Sequence, residues 1–107
     1  MLSLSSHVLD TTTGKPAAQM ALTLTCPNGD VARAETDSDG RCKQWGDISL
    51  TPGIYQLRFD TGAYLTQHHG KGLYPFVDIH FEMEASGGHY HIPLLISPYG
   101  FSSYRGS

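Results

Sequence analysis

The feature that most restricts this chain is a set of short stretches in which apolar and polar residues alternate one by one, each closed by a chain-reversing cluster. Successive side chains of a strand take opposite faces, so alternation of this kind builds sheets with one face buried. Leu2 to Asp10 sets Leu2, Leu4 and Val8 on one face and Ser3, Ser5 and His7 on the other. Met20 to Cys26 does the same with Leu22, Leu24 and Cys26 against Ala21, Thr23 and Thr25. Pro27-Asn28-Gly29-Asp30 then suits a hairpin turn into a weak edge strand over Val31 to Thr36. Ile54 to Asp60 buries Tyr55, Leu57 and Phe59. A strand introduced by Tyr74-Pro75 turns Val77, Ile79, Phe81 and Met83 inward and Asp78, His80 and Glu82 to water. Ser86-Gly87-Gly88 reads as a hairpin turn into His89 to Ile96, where His89, His91, Pro93 and Leu95 oppose Tyr90, Ile92, Leu94 and Ile96.

One segment breaks the pattern. Thr61 to about Gly70 lacks alternation, opens on a residue suited to an N-cap and stops at glycine, so it reads as the only helix, of about two turns. Strands at roughly 8 to 12 residue spacing with one helix inserted predict an all-β sandwich. At 107 residues with no repeat or low-complexity tract, one domain over residues 1–107 is expected. The C-terminus is unusual. After the Pro98-Tyr99-Gly100 turn, small residues interleave with Phe101, Tyr104 and Arg105 up to Ser107, the pattern of a tail pinned into structure rather than frayed.

Charge and hydropathy narrow the partners. A net charge of -3 with only 7 Lys and Arg and no basic run leaves no electrostatic footprint for nucleic acid or an anionic membrane. The apolar runs are far shorter than the roughly 18 residues of a membrane span, and no basic region followed by an apolar block opens the chain. Cys26 and Cys42 are too few for a disulfide framework and read as small buried thiols in a reducing compartment. The expected location is cytoplasmic, or periplasmic if a leader peptide has been removed.

Several side chains invite chemistry. Asp37-Ser38-Asp39-Gly40 is similar to the start of a calcium loop, but Arg41 stands where a third oxygen ligand belongs and no Glu closes the twelfth position. It reads as a tight turn that holds Arg41 at the start of a short strand. His89 and His91 share a strand face about 6.7 Å apart by standard rise, close enough to chelate zinc with His7 or another residue as a third ligand. Equally, one is a surface histidine and the other a polar group bonded to a neighbour. His68 and His69 suit the carbonyl end of the helix, His80 lies on a water-facing position, and none is assigned a function. Taken singly, Arg41, Tyr104 and Arg105 are surface residues. The residues alone thus point to a histidine site on a sandwich surface, with or without a metal.

A group of motifs goes further: Ser6-His7-Val8-Leu9-Asp10 with Thr13-Gly14-Lys15-Pro16-Ala17, Thr36-Asp37 with Asp39-Gly40-Arg41, Tyr74-Pro75, and His89-Tyr90-His91-Ile92-Pro93-Leu94-Leu95 leading to Tyr104-Arg105-Gly106-Ser107. With these the chain resembles the 5-hydroxyisourate hydrolases, purine-catabolic relatives of transthyretin, from Leu4 to Ser107. The resemblance implies a transthyretin-like β-sandwich of two four-stranded sheets with one short helix. It also implies a homotetramer, a dimer of dimers, with active sites between dimers. Carried over, the catalytic residues fall on His7, Arg41, His91 and Ser107, and His7, Arg41 and Tyr104 contact the substrate. No metal or cofactor is implied, and His89 is left structural. The implied reaction is hydrolytic opening of 5-hydroxyisourate to 2-oxo-4-hydroxy-4-carboxy-5-ureidoimidazoline in urate breakdown. Two alternatives stay open: a zinc hydrolase using His89 and His91, and a transthyretin-like carrier of small ligands, which has no need of the terminal tetrapeptide.

Overall fold

The computed structural model describes residues 1–107. Its two sheets carry the alternations read above. Strands β1 (Ser3–Asp10), β2 (Lys15–Pro16), β3 (Ala21–Thr25), β4 (Val31–Glu35), β5 (Arg41–Cys42) and β6 (Gly53–Phe59) precede helix α1 (Thr61–His69), and β7 (Val77–Met83), β8 (His89–Ser97) and β9 (Gly100–Ser103) follow it. One sheet runs β4-β3-β6-β7, antiparallel throughout. The other runs β2-β1-β8-β9, and β5 adds a fifth member on β1, one more strand than the expected two four-stranded sheets. The inner faces enclose Val8, Leu22, Leu24, Tyr55, Leu57, Phe59, Met83, Leu94 and Ile96, all fully buried. A β-sandwich is the result.

Two local expectations are corrected. Ser86-Gly87-Gly88 is not a hairpin turn, because β7 pairs only with β6 while β8 runs parallel to β1 in the opposite sheet. The segment instead crosses between sheets, and the Tyr90 hydroxyl holds it by accepting the Glu84 N–H at 2.8 Å. A Cβ on Gly87 would collide with that phenol, so glycine here serves close packing. The residue capping α1 is Asp60 rather than Thr61, and it makes no side-chain capping bond. The Thr61 hydroxyl donates instead to the Tyr74 carbonyl at 2.9 Å, tying the helix to the loop behind it. Gly70, at φ 71°, ends the helix in the left-handed conformation expected of a glycine stop.

The helix is anchored by a carboxylate that alternation places inside. Ser6 and Asp10 share the inward phase of Leu4 and Val8 on β1, and both are buried. Ser6 donates to the Ile92 carbonyl at 2.7 Å. Asp10 accepts from the Thr12 N–H at 2.9 Å, the Tyr64 hydroxyl at 2.9 Å and His69 Nε2 at 2.7 Å. His69 is therefore a structural partner of β1 and not merely a complement to the helix carbonyls. Burial pushes the Asp10 carboxyl up, but the bonds from His69, Tyr64 and Thr12 outweigh it and leave the pKa below the usual value. Tyr64 is pushed up by burial and by the Asp10 charge, so it stays a protonated donor.

Removing Asp10 strands the donors of Tyr64 and His69. Asp10→Ala is expected to lower unfolding free energy by about 3 kcal/mol and Tyr64→Phe by about 1 to 2 kcal/mol in urea titrations. Because its folded pKa is depressed, the Asp10 contribution is complete above the unfolded value of about 3.9 and disappears as pH falls through the folded value. The Asp10→Asn variant should show a correspondingly shallower loss of stability in acid.

Candidate functional site

The site is laid out on the outward face of β1, β5 and β8. Parallel register aligns Ser3 with His89, Ser5 with His91 and His7 with Pro93. On the other side of β1, Arg41 lies opposite His7. Directly opposed residues share a sheet face, so Ser3, Ser5, His7, Arg41, His89 and His91 form one polar surface behind which the core residues point away.

The turn before β5 delivers Arg41. The Asp37 carboxylate accepts the N–H groups of Asp39 and Arg41, each at 2.9 Å, and the Gly40 N–H donates to the Asp37 carbonyl. The backbone bond from Arg41, against an opposing effect of burial and aided by the bond from Asp39, holds the Asp37 pKa below the usual carboxylate range. Gly40 sits at φ 74°, and a Cβ there would lie 2.6 Å from the Val8 carbonyl oxygen. Only glycine lets the turn close on β1, and that contact places the next residue, Arg41, beside His7. The Arg41 guanidinium is exposed and makes no ion pair.

The imidazoles are oriented by the backbone and by serines. His7 Nε2 donates to the Asp39 carbonyl at 2.9 Å, so in the neutral ring Nδ1 carries the lone pair. His91 Nδ1 lies 2.7 Å from Ser5 Oγ, which leaves Nε2 for a ligand. His89 is bracketed by Ser3 Oγ at 2.6 Å from Nδ1 and Ser5 Oγ at 2.9 Å from Nε2. Partial burial, then the positive charges of Arg41, His7 and His89, hold the His91 pKa below 6.5. His91 is thus kept neutral at physiological pH. No three His, Cys, Asp or Glu side chains are arranged as a metal-ligating group, and both nitrogens of His89 already face serine hydroxyls.

The C-terminal tail is pinned beside this cluster. Strand β9 pairs with β8, and the Ser103 hydroxyl donates to the Pro93 carbonyl at 2.7 Å. The Arg105 guanidinium stacks 4.0 Å above the Tyr90 ring and donates to the carbonyls of Gly87 and His89. Gly106 then bridges to His91, donating to its carbonyl at 2.7 Å, with its α-carbon so near the imidazole that a Cβ would lie 2.5 Å from Cδ2. Ser107 follows at once and is exposed.

His7, Arg41 and His91 are therefore brought together, and Ser107 is the residue after Gly106, which bridges to His91. Tyr104 is not gathered with them within one chain. It is largely exposed and lines a cleft with Ile79, Phe81, Ile92 and Phe101, at the open edge where β7 and β9 face each other. Ser3 and Ser5, whose outward phase on the strand of His7 marks the same face, join the cluster as hydrogen-bond partners of His89 and His91. His68 and His80 stay outside the cluster; His68 packs on Tyr64 and His80 is exposed. Cys26 and Cys42 are free and buried.

Comparison with known proteins matches the chain to one family. The model of the HIUase/Transthyretin family matches residues 4–106. A protein of Schizosaccharomyces pombe named probable 5-hydroxyisourate hydrolase is 40% identical, over 98% of this chain and 91% of its own. The structure of Klebsiella pneumoniae 5-hydroxyisourate hydrolase superposes with a TM-score of 0.89 at 34% identity, covering 100% of both chains. Transthyretin from Sparus aurata superposes with a TM-score of 0.86 at 26% identity, over 97% of this chain and 96% of its own. With the two sheets, the single helix and the full-length match in agreement, this chain belongs to the HIUase/Transthyretin family.

Proposed function

We propose that this chain is a hydrolase that opens 5-hydroxyisourate to 2-oxo-4-hydroxy-4-carboxy-5-ureidoimidazoline. The observation that carries this reading is the outward face of β1, β5 and β8. There two imidazoles with available lone pairs lie beside an unpaired guanidinium and a pinned C-terminus. The full-length similarity to proteins named for that activity supports the same assignment.

Ring opening requires a water to lose a proton while its oxygen bonds to a ring carbonyl carbon, then rupture of the C–N bond with protonation of the nitrogen. His7 acts as the base through Nδ1, because its Nε2 proton is held by the Asp39 carbonyl. His91, kept neutral, orients the water through Nε2. Arg41, which forms no salt bridge, meets the negative charge that develops on the carbonyl oxygen. Ser107, next to Gly106 at the His91 ring, binds the substrate ring or relays a proton from its hydroxyl or carboxylate.

The functional assembly is a homotetramer, a dimer of dimers. Strands β7 and β9 are each terminal in their sheets and share a cleft, and Tyr99, Phe101 and Tyr104 are exposed nearby. Open edges flanked by exposed aromatic residues favour association with a second copy. Assembly would bring Tyr104 to the substrate across a subunit boundary, the role its place within one chain does not provide. Sedimentation equilibrium should give four times the 11.7 kDa chain mass, and a monomer active at assay concentration would refute the shared site.

The direct assay follows the ultraviolet decay of 5-hydroxyisourate generated from urate by uricase, with spontaneous decay as the baseline. The protein should accelerate it. His7→Ala and His91→Ala should each lose on the order of 10² to 10⁴ fold in kcat with the fold intact by circular dichroism. Deleting Tyr104 to Ser107 should abolish turnover. Retained turnover in both histidine variants would remove this reading.

Partial burial and the neighbouring positive charges set how the His91 ring titrates. Followed by NMR, it should stay neutral further into acid than free histidine, with a midpoint below about 6.5. Arg41→Gln removes one of the positive charges responsible, and that midpoint should move upward.

A further inference from the structure

The hydrolase reading leaves Ser3, Ser5 and His89 without a part, yet they form a continuous hydrogen-bonded chain to His91. From the site outward the contacts are His91 Nδ1 to Ser5 Oγ at 2.7 Å, Ser5 Oγ to His89 Nε2 at 2.9 Å, and His89 Nδ1 to Ser3 Oγ at 2.6 Å. His91 is half-buried, whereas His89 and Ser3 are exposed. We infer that Ser5, His89 and Ser3 form a proton exit that carries the surplus proton of each turnover from His91 to solvent.

The need for an exit follows from the reaction on which this inference rests. Water adds to the ring carbonyl, the C–N bond breaks, and one water proton ends on the nitrogen. The other remains on a carboxylic acid, which is ionised at neutral pH. Each turnover therefore releases one proton at a site flanked by Arg41 and the tail, where positive charge must not accumulate.

The chain of groups can move that proton because it closes in either direction. In one arrangement both imidazoles carry hydrogen on Nδ1: His91 Nδ1 donates to Ser5, Ser5 donates to His89 Nε2, and His89 Nδ1 donates to Ser3. In the other, both carry hydrogen on Nε2, and every bond runs the opposite way. A proton arriving at His91 Nε2 converts the first arrangement into the second. The Nδ1 proton of His91 passes to Ser5, the Ser5 proton to His89 Nε2, and the Nδ1 proton of His89 to Ser3 and water. One proton enters and one leaves. Between turnovers both imidazoles and the Ser5 hydroxyl reorient, a step that moves no net proton and restores the starting arrangement.

The parallel register supplies this geometry. Residues Ser3 and Ser5 are two apart on β1, as His89 and His91 are on β8, and the pairs face each other in order. The Ser5 hydroxyl therefore lies between the two rings. His89 is a positioning residue here, acting on the reaction through His91.

The test compares wild type with His89→Phe and Ser5→Ala, using the 5-hydroxyisourate decay assay in weak buffer and then with added imidazole as a diffusible proton carrier. Both variants are expected to lose about tenfold in kcat with KM unchanged, part of the usual acid–base contribution, and to recover as imidazole is raised. His89 is exposed, so His89→Phe remains informative even if Ser5→Ala disturbs the sheet. Variants as fast as wild type in weak buffer, or a loss that imidazole does not repair, would overturn the exit. A wild type without activity would instead bring down the hydrolase reading and the exit with it. Nitrogen-15 NMR of the imidazoles gives a readout that needs no substrate. His89 and His91 should carry hydrogen on the same-named nitrogen, and Ser5→Ala should uncouple them. Opposite tautomers in wild type, with both rings donating to Ser5, would exclude the chain.

Discussion

The parallel pairing of β1 with β8 is the constraint on which the rest of the molecule depends. Its eight residue pairs fix which residues of each strand enter the core and which form the outward surface. A slip of β1 by one residue would turn its side chains to the other face, carrying His7 into the core and Val8 out of it. Burial of Leu4, Val8, Tyr90, Ile92, Leu94 and Ile96 therefore enforces the placement of Ser3, Ser5, His7, His89 and His91. The polar face exists because the apolar one is satisfied.

The remaining elements add groups to that pair at fixed heights. Strand β5 is only two residues long, yet Gly40, closing against the Val8 carbonyl, sets Arg41 level with His7. At the far end of β1, Asp10 gathers the Thr12 N–H, Tyr64 and His69, so the helix is seated on the same strand that carries His7. On β8, Tyr90 performs two tasks from the inner face: its hydroxyl ties down the crossing segment at Glu84, and its ring carries the Arg105 guanidinium. Arg105 brings Gly106 onto His91. A residue of the core thereby decides where the chain terminus stands.

The electrostatic character of the surface has the same origin. Arg41, His7, His89 and His91 are all cations or potential cations, and no carboxylate pairs with any of them. Such a surface favours an anionic ligand, and its positive charges add to the partial burial that lowers the His91 pKa. By contrast, the one histidine that meets a carboxylate, His69, lies at Asp10, where it serves stability.

Much of this was legible in the residues. Alternation located β1, β3, β6, β7 and β8 and their buried faces, because period-two patterning directly reflects which side chains must leave water. The break of pattern at Thr61 and the stop at Gly70 located the helix. The motifs around His7, Arg41 and His91 and the terminal Tyr104-Arg105-Gly106-Ser107 pointed to the family. Pairing between distant strands was not legible, since it leaves no local signal. The Gly87-Gly88 turn looks the same whether it joins neighbours in one sheet or crosses between two. For the same reason Asp10 with His69, and Ser5 with His89 and His91, could be found only once β8 lay parallel to β1 and the helix was docked. The sequence by itself determined which faces are buried, where the chain turns and which side chains carry chemistry, since these follow from local periodicity and backbone conformation. Only the tertiary structure decided which of those side chains meet, because register and docking come from burying both sheets against each other at once.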